Sequence, residues 1–218
     1  GKEMSFDTQD FNITATGMRV GLNTATGPIS MSLGSSSLDI GTAGVYVYTD
    51  GGSHALNTGS ATINSAGPLT MSAGTGTITL DPGTSTVIID GTSTITSNSQ
   101  QFHNLYVGSV TAGASVTTAD DLTVEADLLI YNGAATTLNI SDDTLSVAGD
   151  LNLTNLDTFT VTNSAVTLNG TSPQTVTTAG KTYNELAVTN TAGVTFADAF
   201  TTADFTAVTA DTYLYFEN

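Results

Sequence analysis

Residues 26–51, TGPISMSLGSSSLDIGTAGVYVYTDG, and residues 66–91, AGPLTMSAGTGTITLDPGTSTVIIDG, align without a gap at an offset of 40. Gly27/Gly67, Pro28/Pro68, Met31/Met71, Ser32/Ser72, Gly34/Gly74, Val47/Val87, Asp50/Asp90 and Gly51/Gly91 are identical, and Leu38/Ile78 and Ile40/Leu80 keep apolar character in phase. A fixed period in a strand-forming sequence means one supersecondary unit stacked on copies of itself. The alignment therefore predicts that Met31 and Met71, or Gly51 and Gly91, lie one above the other.

The repeat extends beyond this pair. An apolar run closed by Asp-Gly or Asn-Gly ends at Gly51, Gly91, Gly133 and Gly170, at spacings of 40, 42 and 37. Asp-Gly and Asn-Gly take positive φ readily, so each pair is expected to end a strand at a tight turn. Residues 86–107 resemble 165–188 at an offset of 79 that drifts to 81, and LTVEADLLI (122–130) matches LSVAGDLNL (145–153) at an offset of 23. The elementary coil is then roughly 20 residues, the length of leucine-rich-repeat and β-helix coils.

Within each coil, apolar residues alternate with Thr, Ser, Asn and Asp, as in Ile78-Thr79-Leu80 and Val166-Thr167-Leu168. That is the strand period; no useful stretch carries a helical stripe. A hairpin sandwich is the competing all-β reading, but it has no reason to reproduce residue types at a fixed offset. The expectation is one elongated β-solenoid over residues 1–218, a parallel β-helix with a continuous core drawn from a chain 39% hydrophobic.

Composition narrows function. Only 11% of residues are charged, with 20 Asp and Glu against Lys2, Arg19 and Lys181, a formal net charge of −17. Phosphate backbones and anionic lipid need clustered cations, so nucleic acid and membrane surfaces are not expected partners. No apolar run approaches a membrane span, and the N-terminal GKEMSFDTQD lacks a signal-peptide pattern. Cys is absent, so neither disulfides nor thiolate metal sites contribute. A neutral, hydroxyl-rich surface reads as that of a secreted or cell-surface protein.

Segments such as INSAGPLTMSAGTGTITL (63–80) and GTSPQTVTTAGKTYNELAVTNTAGVTF (170–196) resemble the repeats of large secreted bacterial β-helix proteins, the filamentous-haemagglutinin-like adhesins and autotransporter passenger domains. The resemblance runs over nearly the whole chain on degenerate motifs. It implies a right-handed parallel β-helix displayed outside the cell for adhesion, matrix or surface-layer structure. No recognisable secretion domain, N-terminal cap or anchor accompanies it, which is expected of a filament subunit or an excised segment.

Candidate sites are few. Asp120-Asp121 and Asp142-Asp143 stand at equivalent places, followed by Asp127 and Asp150. Stacking would gather them either as a Ca²⁺ site or, without any calcium-loop motif, as turn residues capping their own backbone; no cofactor is expected. His54 and His103 lack a triad or metal motif and are expected at the surface or in turns. Lys2 and Lys181 lack the supporting acids for an isopeptide bond. Asn12, Asn139, Asn152 and Asn169 match the N-glycosylation pattern in a Thr-rich chain where such matches arise by chance. Tyr46 and Tyr48 alternate with Val45 and Val47 and should face away from them; aromatic strips serve as packing ladders or as glycan platforms.

The leading functional expectation is a non-enzymatic structural or adhesive fibre component. The alternatives are a glycan-active or glycan-binding β-helix protein of tailspike type, for which two carboxylates would suffice, and ice binding by flat Thr arrays, disfavoured because the Thr-X-Thr pairs are scattered along the chain. Neither end carries a recognisable cap. Phe6, Phe11 and Ile13 at one end and Tyr213, Leu214, Tyr215 and Phe216 at the other are the expected interface through which copies stack head to tail.

Overall fold

The computed structural model describes residues 4–21, 27–131, 135–207 and 213–217. No helix occurs among them; strands do, paired in parallel. Coils up to Thr158–Thr160 contribute a strand to most of three faces, and the described coils after it to two. Face one runs through Met4–Asp7, Ile29–Ser32, Ser53–Asn57 and Thr77–Asp81, and resumes at Gln101–Phe102 toward Thr201–Ala207. Faces two and three begin as the two halves of Ile13–Val20 and of Ser37–Thr49. Face two then continues from Thr62–Ser65 to Leu214–Phe216, and face three from Leu69–Ala73 to Thr158–Thr160. The break in face one is bridged by a side chain: the Leu80 amide donates to Gln100 Oε1 at 2.8 Å.

The chain is thus a parallel β-solenoid of about nine turns, with about 23 residues to a turn. The turn is shorter at the C-terminal end than at the N-terminal end, although not evenly along the chain: Met4 pairs with Ile29 and Ile13 with Leu38 at one end, Thr182 with Thr201 and Val194 with Leu214 at the other, and between them Val87 pairs with Leu105 but Leu151 with Val176. Face three stops at Thr158–Thr160, so the described coils after it carry strands on two faces only, and the C-terminal end is the narrower one.

The offset of 23 is the true coil, since it places Leu122 on Leu145, Val124 on Val147 and Leu128 on Leu151. The offset of 40 is not. Met31 pairs with Leu56 on face one, whereas Met71 pairs with Val47 on face three. Both segments are strand, turn and strand with the same alternation, and the alignment measured that local pattern without regard to which face it begins on. The Asp-Gly and Asn-Gly expectation needs a similar correction. Positive φ falls at Gln9 and Asp10, Asn98 and Ser99, and Ala179 and Gly180, but not at Gly51, Gly91 or Gly170; Gly133 lies outside the described residues. Space explains two of these glycines: a Cβ on Gly91 would stand 2.2 Å from the Ala66 carbonyl oxygen, and one on Gly170 2.2 Å from that of Ala148.

The interior is a set of apolar columns one coil apart, such as Ile63, Val87, Leu105, Leu128, Leu151 and Val176, all buried. Each such side chain contributes roughly 1.5–3 kcal/mol of transfer free energy. Corners bury hydroxyls that satisfy one another: Thr8 and Ser36 are 2.6 Å apart, and Thr58 donates to Ser85 at 2.9 Å. Gln174 is buried with four partners, donating to the Val147 and Gly149 carbonyls and accepting from the Gly170 amide and Asn190. The narrow C-terminal coils are filled by rings instead: Tyr183 stands edge-on to Phe159 at 5.6 Å and to Phe200 at 6.2 Å.

This packing is open to test at single positions. Gly91→Ala meets backbone and should cost roughly 2–3 kcal/mol, whereas Gly180→Ala, at φ +68° with nothing within 4 Å, should cost only about 1 kcal/mol of backbone strain; denaturant unfolding of both variants measures the difference. The buried Tyr183 hydroxyl has no hydrogen-bond partner among the described residues, and burial, with the Asp198 charge as a lesser cause, pushes its pKa above the usual 10.0. The folded state then holds this proton longer than the unfolded state. Its contribution to stability is complete below the ordinary tyrosine value and is lost as the pH climbs through the folded one. Tyr183→Phe should raise stability by about 1 kcal/mol near neutrality and flatten that alkaline decline, as read from unfolding midpoints across pH.

Candidate functional site

The apolar surface of this protein is concentrated at its ends. Of eight large hydrophobic side chains exposed among the described residues, only Val110 lies away from the terminal coils; the others are Met4, Phe6, Phe11, Phe205, Tyr213, Tyr215 and Phe216. Strand alternation accounts for most of them. Met4 and Phe6 pair with Ile29 and Met31 on face one, so they point to the interior of a coil that no described coil covers. Phe205 pairs with buried Leu186, and Leu214 and Phe216 with buried Val194 and Phe196, at the opposite opening.

Among the described residues the N-terminal opening is hollow: a space of about 430 Å³, open to solvent, is lined by Met4, Phe6, Val20, Ile29 and Met31, with Arg19 and Ser30 beside them. The C-terminal opening is a stack of rings: Phe216 lies flat on Phe196, centroids 5.4 Å apart and planes 11° apart, and Phe205 leans on Phe200 at 6.0 Å. At both ends backbone edges are unpaired on their outer side among the described residues: Met4–Asp7 and Ile13–Val20 at one end, Thr201–Ala207 and Leu214–Phe216 at the other.

The seven residues expected to form the interface do not share one role. Phe6, Phe11, Tyr213, Tyr215 and Phe216 are more than half exposed, whereas Ile13 and Leu214 are partly buried against the core and belong to its first and last layers. Met4, Phe205 and the cavity floor of Ile29 and Met31 belong to the openings as well. The signal that could have found them is alternation read in the terminal strands, where an inward residue of an end coil is an exposed one.

The carboxylates fasten one coil to the next. Asn104 Oδ1 accepts from the Asp127 amide, Asp127 Oδ1 from the Asp150 amide and Asp150 Oδ1 from the Thr175 amide, at 3.2, 2.8 and 2.7 Å. Asp120 takes the Ser97 and Asn98 amides, Asp121 the Thr144 amide, Asp142 the Asn163 side chain and Asp143 the Thr118 hydroxyl. Among the described residues no three His, Cys, Asp or Glu side chains gather to hold a metal ion. Asn139 and Asn152 likewise accept amides from their own turns, those of Ser141 and Thr154.

His54 is a correction to the surface expectation. It is fully buried in the face-one column between Ile29 and Ile78, with Nδ1 2.6 Å from the Tyr48 carbonyl oxygen and Nε2 without a partner among the described residues. His103 is half-buried about two coils further along. Lys181 donates to the Asp157 carbonyl at 3.4 Å, and Lys2 lies outside the described residues. Tyr46 and Tyr48 do face outward: the Arg19 guanidinium sits 5.2 Å from the Tyr46 ring, and the Tyr48 hydroxyl donates to Asp50, a bond that raises its pKa.

Register also gathers what is scattered in the sequence. Thr92, Ser115, Thr137 and Thr158 form one outward row on face three, and Thr94, Thr117, Asn139 and Thr160 a parallel one, with no charge in either. Successive members of a row stand one coil apart, a spacing that is missed when the period is taken as 40.

Comparison with protein-family models, with curated proteins and with solved structures returns no match to this chain.

Because the carboxylates already accept protein donors, millimolar Ca²⁺ and a chelator should leave the thermal midpoint where it is, and a rise with Ca²⁺ would restore the calcium reading. Asp127→Ala strips the Asp150 amide of its acceptor and should cost about 1–2 kcal/mol in denaturant unfolding.

Proposed function

We propose that this chain is a length of non-enzymatic extracellular fibre, a solenoid that stacks head to tail with copies of itself in a secreted or cell-surface structure. One observation carries the reading: among the described residues, seven of the eight exposed large hydrophobic side chains sit on the two terminal coils. A solenoid that stands alone closes its ends with polar or capping residues, because an open coil leaves apolar core and unpaired strand edges in water. Here every end strand runs in the direction that a further parallel coil requires, so one copy can supply face-one and face-two edges to the next without any strand reversing.

The remaining surface fits this role. It is built of hydroxyls and amides, and the acids that could otherwise have formed a catalytic pair or a cation site accept hydrogen bonds from neighbouring coils. A contact between unlike ends does not close on itself, so it yields filaments rather than a discrete oligomer.

Sedimentation velocity and electron microscopy over a concentration series test the reading. The expected result is rods whose length grows with concentration and a monomer when residues 213–218 are removed. An intact chain that remains monomeric at the highest attainable concentration overturns it.

A further inference from the structure

We propose that the hollow N-terminal opening is a socket for the aromatic C-terminal end of a second copy, an inference that rests on the head-to-tail reading and adds how the ends fit and why the joint has one polarity. The ends differ in width. One full coil separates Met4 from Ile29 at the first end, and a visibly shorter stretch of chain, from Thr182 to Thr201, completes a coil at the last. Among the described residues the wide end is open and the narrow end is filled with rings. A cavity of about 150 Å³ accepts one benzene-sized ring. At about 430 Å³ the wide opening therefore has room for nearly three such rings, of which Phe205 and Phe216 can supply two. Both rings rest on others inside the core, Phe205 on Phe200 and Phe216 on Phe196, so the narrow end is a packed extension of the solenoid.

The other two pairings are worse. Two wide ends brought together would enclose two unfilled apolar openings, and voids forfeit contacts that a packed interior makes. Two narrow ends would bring like charge together, since the described residues 198–207 and 213–217 carry Asp198, Asp204 and Glu217 with no cation. The wide end is less acidic: its described residues 4–21 set Arg19 against Asp7 and Asp10. A narrow acidic end therefore meets least repulsion, and fills most space, at a wide end.

Two exposed positions test the fit in the full chain. Phe6→Asp spoils the socket and leaves the aromatic end intact; Phe216→Asp does the reverse. Each variant alone should associate at least tenfold more weakly than the unmodified chain in sedimentation velocity. Mixed, they should form a discrete one-to-one dimer, because the Phe216→Asp copy still offers a socket and the Phe6→Asp copy still offers an aromatic end. Circular dichroism confirms that each variant is folded, and Met4→Ala with Phe205→Ala serve as milder substitutes if an Asp variant is not. Self-dimerisation of Phe6→Asp or of Phe216→Asp would show a joint between like ends and overturn the proposal. If the unmodified chain forms rods and both variants form them equally well, the socket is wrong while the fibre reading stands. If the unmodified chain forms no rods, the fibre reading fails and the socket with it.

Discussion

The strands of this protein find their backbone partners in the coils stacked on either side of them, not in their own coil. That constraint governs the rest. A strand inside a coil has no local alternative for its amide and carbonyl groups, and a buried unpaired group costs as much as a lost hydrogen bond. The coil must therefore be stacked, its inward residues must be apolar at every second position, and its corners must turn without wasting donors. Left-handed backbone at Asn98 and Ser99, or at Ala179 and Gly180, and buried hydroxyl pairs such as Thr58 and Ser85, are how the corners meet that demand.

The same constraint gives the acids their place. A chain of net charge −17 repels itself, and an isolated pair of exposed charges would do little to offset that. Here the carboxylates instead accept from amides one coil away, as in the run from Asn104 through Asp127 and Asp150 to Thr175. Charged acceptors make the stronger hydrogen bonds, so acidity serves the axial stacking that the backbone ladder begins.

Stacking is satisfied along the body of the solenoid, and where it ends the difference in width makes the two openings unlike. The long first coil leaves room that the described side chains do not fill, while the shorter C-terminal coils close around Phe159, Tyr183, Phe196 and Phe200. An open wide coil and an open narrow coil are different surfaces, so the direction of the chain is written into its shape as well as into its strands.

Fold class was legible in the residues alone. Period-two alternation and recurring coils specify stacked strands because side-chain direction along a strand is a local property, and the match of 122–130 to 145–153 already held the true coil. Phe6 and Phe216 stood out in the sequence as well, and both are exposed on the first and last described strands of their faces. Which residues lie above which was settled in three dimensions. Met31 and Met71 share a local pattern but stand on different faces; His54, a lone polar residue in the sequence, is buried because its position in the strand points inward; and scattered threonines become two rows on face three. The physical reason is that register depends on the summed length of every corner between two strands. Coils that differ in length, as between the pairing of Met4 with Ile29 and that of Thr182 with Thr201, move each stacked partner to a different offset, and no single period read along the chain can follow them.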